Sequence, residues 1–481
     1  MDYPILENLK PYEFFKWFGE ICKIPHGTYN EKQMTDFLIK FAEDRNIKYT
    51  VDAKGNVFMK LPASKGYENQ PSILLQAHTD MVCVKDEGVE FDFEKDSIRL
   101  KITDDKLHAE GTTLGADNGV GVATMLAIAD SDYVLHPELE LLFTVEEECG
   151  LWGIRNFDMS LIKARRMINM DCGYSHIIAV SSLGTRSATV SREFKMQDTD
   201  KDHTALKIRI YGGLGGHAGI MARKGRACAA HNMGILLSSI REFSPCLCSL
   251  ESTSPISKWC TSTIVVKSDF VDKVKGILIE KFSGIYSIYE KCDPDIKIEI
   301  EEVALPDKCI SAMDTEDIVN LLRTVKSGIN REDGQNNFIV ITLTIFGKVS
   351  LENGVFSGSY VVRSSNDADM ENLYKYYKNM LTIFGFTVSY KDQYSGWKEA
   401  VNSPFRDKCI AIHQNLFGFP PEFENVQGGI EIAIIVGEIP DMDAVGFAPT
   451  ARGAHTTSEY IRLSEVPDFW QWMLGVLREK E

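Results

Sequence analysis

Three short apolar runs constrain the fold most, because each is bounded by polar residues and each runs out into acids or a histidine. Ser72 to Ala77 (SILLQA) leads into His78-Thr79-Asp80, Leu139 to Thr144 (LELLFT) into Glu146-Glu147-Glu148, and Arg166 to Met170 into Asp171. Short apolar runs with such boundaries read as buried strands. Between the first two, Gly119 to Asp130 carries helical spacing. Alternation of this kind builds an α/β sheet covered on both faces. Its acids and histidine then fall just beyond strand ends, where open α/β sheets bind ligands.

The middle of the chain has another character. From about Thr185 to Tyr394, strands alternate apolar and polar residues, as sheets exposed on one face do. A weak internal echo runs through it: Ser262 to Val303 and Ser359 to Tyr394 each read as strand, helix, strand. Two tandem copies of one α+β unit would explain the echo. From about Gly396 the α/β character returns, with an apolar strand expected at Ile430 to Val436 and a closing helix through Phe469 to Leu477. A length of 481 residues exceeds what one ordinary core serves. The expected organisation is a catalytic domain in two parts, 1–184 and 396–481, interrupted by an inserted domain over 185–395.

Charge and cysteine usage narrow the function classes. The formal net charge of −17, spread along the chain, argues against nucleic acid and anionic membrane as partners. The opening residues lack a basic n-region and a long apolar h-region, so no signal peptide is expected, and no run of about 18 apolar residues suggests a membrane span. Eleven scattered cysteines without a C-x-x-C fit a reducing compartment better than a disulfide framework. A cytoplasmic protein is the expectation.

The stretch TLGADNGVG (113–121) sets Asp117 among glycines at the start of the helical pattern. An acid there either caps the helix or holds a cation. Five polar clusters bear on the choice: His78-Thr79-Asp80, Asp117, Glu146-Glu147-Glu148, Asp171, and His455 in ARGAHTTSEY. Singly, each has an ordinary reading as cap, surface charge or satisfied core residue. Together, strand ends carrying only His, Asp and Glu would bury several uncompensated anions, which is costly unless a cation neutralises them. Imidazole with carboxylates is the ligand set of zinc and related divalent ions.

Six segments, LLQAHTDMV, GTTLGADNGVG, LLFTVEEECG, INMDCG, GGLGGHAG and RGAHTTSE, resemble the two-zinc metallopeptidases that include the carnosinases, and specifically their Xaa-His (aminoacyl-histidine) dipeptidase branch. They occur in the family's order and span nearly the whole chain. The resemblance implies a zinc-peptidase-like α/β fold, a mixed sheet with helices on both faces, interrupted by an α+β lid of two tandem repeats. It implies that Asp117 bridges two divalent ions, zinc foremost with cobalt or manganese as alternatives. His78 and Asp171 would complete one site, and Glu148 and His455 the other. Asp80 would hold the other N–H of the His78 imidazole, and Glu147 would be the general base. Glu146 reads as a solvated acid, and Asn118 as a residue that helps fix the Asp117 turn.

The resemblance further implies that His217 in the lid stabilises the oxyanion, that Arg363 clamps the substrate carboxylate, and that Gly429 lies in the substrate-binding segment. Two segments depart from the family. An Asn-x-Ile-Pro-like stretch is replaced by Ser262-Thr263-Ile264-Val265, and the histidine-containing H-x-G-L-E by Gln427-Gly428-Gly429-Ile430-Glu431. Cys83, Cys149 and Cys172, which flank expected ligands, read as small packing residues. The activity implied is hydrolysis of unblocked dipeptides, including Xaa-His and carnosine, with a small peptide as the partner molecule. An aminoacylase, carboxypeptidase or aminotripeptidase using the same metal pair is the rival, and a non-catalytic metal-binding scaffold the second. A homodimer is one arrangement open to the chain, since relatives dimerise, while a doubled lid could mimic a partner's domain.

Overall fold

In the computed structural model, residues 3–216, 224–253, 256–332, 334 and 340–480 are described. The chain divides into two compact units. One comprises Met1–Ser182, Trp397–Val426 and Ile430–Glu481, and the other Leu183–Gly396 with Gln427–Gly429. The three-residue excursion at Gln427–Gly429 leaves no trace in the sequence pattern.

The first unit is built on an eight-stranded sheet. Its order is Lys48–Val51, Val57–Leu61, Leu139–Thr144, Ile73–His78, Arg166–Asn169, Asp443–Gly446, Ile177–Ser182 and Glu422–Val426. The third to sixth of these run parallel to one another. Ile73–His78 and Leu139–Thr144 are buried at every residue, as strands covered on both faces must be. His78 pairs with Thr144 and Gln76 with Asn169, so the carboxyl ends of three strands finish level with one another.

The segment Ala116–Ala129 is interrupted at Asp117 and Asn118, which are non-helical, so its regular helix runs from Gly119 to Ala129 as expected. It packs on the helix Tyr12–Ile21 and on the strand Ile73–His78. Gly121 permits that approach: a Cβ there would sit 2.5 Å from Asn118 Oδ1, 2.7 Å from Ala77 Cβ and 3.0 Å from Met170 Cβ.

The apolar run at Ile430 to Val436 is not a strand. It is the helix Glu431–Glu438, entered from an extended Ile430. A short apolar run does not by itself distinguish a buried strand from a buried helix. Burial decides here, since Glu431, Ile432, Ile435 and Ile439 are buried while Gly437 and Glu438 are exposed, a helical spacing. The closing helix spans Val466–Arg478.

The second unit carries a nine-stranded antiparallel sheet. Eight strands run in the order Lys297–Val303, His203–Tyr211, Cys260–Lys267, Cys246–Ser252, Val340–Glu352, Val355–Ser364, Gly184–Glu193 and Thr387–Tyr394, and Gly328–Glu332 pairs with Val340–Glu352. The two halves mirror each other about the pairing of Cys246–Ser252 with Val340–Glu352. Each half has a strand, a long helix (Val271–Tyr289 or Asp367–Ile383) and a strand at the sheet edge, as the echo suggested. The copies are nested rather than strictly tandem. The strand that completes the second half, Gly184–Glu193, precedes the first half in the chain, because sheet position is set by pairing and not by sequence order.

Gly121→Ala should destabilise the protein by about 1–3 kcal/mol through overpacking. The gain in helix propensity, about 1 kcal/mol, acts the other way. A thermal melt that shifts upward would show that the contact is not tight.

Candidate metal centre

The level strand ends bring the expected residues together. His78 closes its strand and is 1% exposed. Its Nε2 lies 3.1 Å from Asp117 Oδ1 and 3.3 Å from Asp171 Oδ1. On the other side, His455 Nε2 lies 2.7 Å from Glu148 Oε1 and 3.4 Å from Asp117 Oδ2. Asp117 therefore stands between two imidazoles and turns one oxygen to each. Two donor sets share it: His78, Asp117 and Asp171, and Asp117, Glu148 and His455, each with donor atoms within 4.8 Å of one another. A third set, His78, Glu147 and Glu148, brings in the other glutamate.

Local structure explains how each side chain is held. Gly115 enters the helix at φ 72°, a left-handed conformation that glycine adopts without strain. Asp117 and Asn118 are non-helical, and the Asn118 side chain accepts the Gly121 N–H at 3.2 Å, which fixes the turn. The opening of this loop is gripped from elsewhere. Buried Glu459 accepts the N–H groups of Leu114 (2.7 Å), Gly115 (3.1 Å) and Asp117 (3.0 Å). Glu459 lies inside the RGAHTTSE segment, yet nothing in the sequence assigns it this task. Its partners are backbone groups some 340 residues away.

Asp80 offers the other ring nitrogen of His78 two acceptors. The nearer acceptor for His78 Nδ1 is the Asp80 carbonyl, at 3.0 Å, while its carboxylate stands at 3.5 Å. The carboxylate oxygens also accept the Glu147 and Glu148 N–H groups, at 3.0 and 3.2 Å, and the Thr28 hydroxyl, at 2.9 Å. Asp80 thus fastens the strand end bearing His78 to the turn bearing both glutamates. Glu146 is not freely solvated either. Its left-handed backbone (φ 52°) accompanies an ion pair with Lys54 at 2.7 Å. Cys172 is buried as a packing residue should be, whereas Cys149 is half-buried and Cys83 exposed, because the loop after Met81 leaves the core.

The electrostatics call for positive charge. Among the described residues, the ion pairs of Asp117, Glu148 and Asp171 are to His78 and His455 only. Hydrogen bonds to the Asp117 and Glu148 carboxylates push the His455 imidazole up to about 10. Burial opposes a charge on His78, but Asp171, Asp117 and Asp80 outweigh it and raise its pKa well above the usual imidazole value. Burial raises Asp171 to about 7 and Glu147 well above the usual carboxylate range. Asp117 is held far below that range, because hydrogen bonds from the two imidazoles overcome its burial. Carboxylates and imidazoles at these separations fit divalent ions of the zinc, cobalt and manganese type. A cleft lined by Asp117, Asp171, Cys172, Tyr174, Ala448 and Pro449 adjoins the cluster.

Of three other expected residues, Arg363 and Gly429 lie in the second unit. There Arg363 Nη1 donates to the Gln427 carbonyl at 2.6 Å, and Gly429 lies so close to Tyr394 that a Cβ would overlap its ring. His217 lies outside the described residues.

Glu459→Gln should lower the unfolding free energy by about 1–3 kcal/mol, because an amide NH₂ would face at least one of three N–H donors. Urea unfolding at pH 8.5, above the value of about 7 to which burial raises the Glu459 carboxyl, checks this, and an unchanged midpoint would refute the grip.

Comparison with known proteins establishes the family and the fold. The model of peptidase family M20/M25/M40 matches residues 74–479. The cytosol non-specific dipeptidase of Escherichia coli K12 is 26% identical over 483 residues, covering 98% of this chain and 99% of that protein. The structure of aminoacylhistidine dipeptidase from Vibrio alginolyticus superimposes with a TM-score of 0.90 at 25% identity, covering 100% and 99% of the two chains. Aminopeptidase PepT from Bacillus cereus shares the fold at 17% identity, with a TM-score of 0.59 and 98% of each chain covered. A mixed α/β peptidase fold and two donor sets meeting at one aspartate thus occur in a chain matched along most of its length, and the protein is a member of peptidase family M20/M25/M40.

Proposed function

We propose that the protein is a metal-dependent dipeptidase that hydrolyses the peptide bond of unblocked dipeptides, including those ending in histidine. The observation that carries this reading is the pair of donor sets sharing Asp117. The end-to-end similarity to two dipeptidases supports the substrate class over an aminoacylase, carboxypeptidase or aminotripeptidase. Zinc is the proposed ion, with His78 and Asp171 on one side of Asp117 and Glu148 and His455 on the other. The eleven free cysteines and the cytosolic relative support a cytoplasmic location. No helix among the described residues is long and apolar enough to cross a membrane.

Divalent ions held there would supply Lewis acidity toward the scissile carbonyl and the attacking water. The chain's own residues supply the rest. Glu147, buried and with a raised pKa, would take the water's proton and deliver it to the leaving amine nitrogen. Asp80 keeps the Glu147 and Glu148 backbone fixed relative to His78. Arg363 would pair with the dipeptide's free carboxylate. Its Nε is buried and has no partner among the described residues, which supports a further acceptor there. Gly429 would leave room beside the substrate, and His217 would donate to the developing oxyanion.

Glu147→Gln should keep metal content near normal and cut kcat by about 10²–10⁴-fold, since it removes proton transfer without removing a ligand. Glu148→Gln should reduce metal content instead. Equal metal loss in both, with activity kept by Glu147→Gln, would reverse the two roles. On the substrate side, free dipeptides should be cleaved, while C-terminally amidated dipeptides and tripeptides should be poor substrates. Arg363→Ala should lower kcat/KM on free dipeptides by at least ~10-fold, the cost of leaving a carboxylate unpaired. Fast cleavage of amidated dipeptides by the wild type would overturn the dipeptidase reading.

A further inference from the structure

Glu431 opens the helix Glu431–Glu438 and is 1% exposed, although no residue of the proposed mechanism needs it. Its Oε2 accepts hydrogen bonds from Gln76 Nε2 and from the Thr144 hydroxyl, the latter at 2.5 Å. Gln76 Oε1 in turn accepts from Asn169 Nδ2 at 2.5 Å, and Asn169 Oδ1 accepts the Asp171 N–H at 3.0 Å. The Gln76 amide also donates to Thr144 Oγ1 at 3.2 Å. Beyond Thr144, its carbonyl accepts both the backbone N–H and the hydroxyl of Thr79, at 2.7 and 2.8 Å.

One carboxylate thus sits at the centre of a buried polar chain that joins three strand ends. Gln76 lies two residues before His78, Thr144 three before Glu147, and Asn169 two before Asp171. We infer that Glu431 is a positioning residue: by accepting from Gln76 and Thr144 it sets the relative placement of the strand ends that deliver His78, Glu147, Glu148 and Asp171. The inference rests on the metal-dependent reading above. The role requires an acceptor at Oε2 and not a charge. Oε1 is buried and accepts no hydrogen bond among the described residues. Fixing such a chain narrows the positions open to the donors, and losses of this kind in residues behind metal ligands typically weaken metal affinity by about 10–100-fold.

The test uses the full chain, freed of metal with a chelator and titrated with cobalt(II), whose visible absorption reports the donor set directly. Thermal melting and dipeptide kinetics are read in parallel. Glu431→Leu, of similar volume but without an acceptor, should remain folded, bind cobalt about 10–100-fold more weakly and with an altered spectrum, and lose kcat with little change in KM. Glu431→Gln, which keeps an acceptor oxygen, should restore most of both losses. If Glu431→Leu does not fold, Gln76→Leu and Thr144→Val, each removing one of the two donors, should give the same cobalt and kcat changes on a smaller scale. A folded Glu431→Leu, or the two donor variants, with wild-type cobalt affinity and spectrum would overturn the inference. So would a Glu431→Gln as impaired as the leucine variant. Wild-type protein that binds cobalt normally but cleaves no dipeptide would refute the dipeptidase reading alone, since the cobalt comparison among variants would still decide the role of Glu431.

Discussion

Carboxylates held close together repel, and five of them, Asp80, Asp117, Glu147, Glu148 and Asp171, crowd around His78 and His455. Two imidazoles cannot balance five acids, and the surrounding groups shift in the direction this imbalance dictates. His455 is drawn toward its charged form and Asp171 toward its neutral one. Such a cluster is costly in a protein interior unless cations meet it. Much of the first unit is organised to hold this unfavourable charge in place.

The holding is done by uncharged donors that meet one acid of the cluster, Asp80, and two outside it, Glu459 and Glu431. Asp80 spends its carboxylate on two backbone N–H groups and a hydroxyl, and Glu459 spends its own on three N–H groups of the Asp117 loop. Glu431 does the same from beneath with side-chain donors. These hydrogen bonds come from donors with no formal charge, so they bring no positive charge to the cluster. The positive charge is left for an ion to supply, and the side chains that would hold it are restrained before it arrives. Preorganisation of this kind lowers the entropy lost on binding.

The second unit obeys a different constraint. Its sheet is antiparallel with alternating exposure, as in Lys297–Val303, where every residue is exposed or half-buried. Edge strands rich in Lys and Glu discourage pairing with other chains. The two halves share a mirrored strand order, which accounts for an echo that persists in pattern although the residues differ.

Composition and pattern alone determined a good deal. The strands Ile73–His78, Leu139–Thr144 and Arg166–Asn169 could be read to within a residue or two, because a strand covered on both faces is mainly apolar and stops where polar residues cluster. The clustering of His78, Asp117, Glu148, Asp171 and His455 could be anticipated, because parallel strands of one sheet end on the same side. Other features had no local signal. Ile430 to Val436 is apolar enough for either strand or helix, and only packing made it a helix. Asp80 presents both its carbonyl and its carboxylate to His78, while the carboxylate also accepts N–H groups of residues 67 and 68 positions further on. Glu459 and Glu431 meet partners more than 280 residues away, and such pairings exist only once the sheet has formed. Residue type and spacing are local properties of the chain, whereas hydrogen-bond partnership across a sheet is decided by which strands become neighbours.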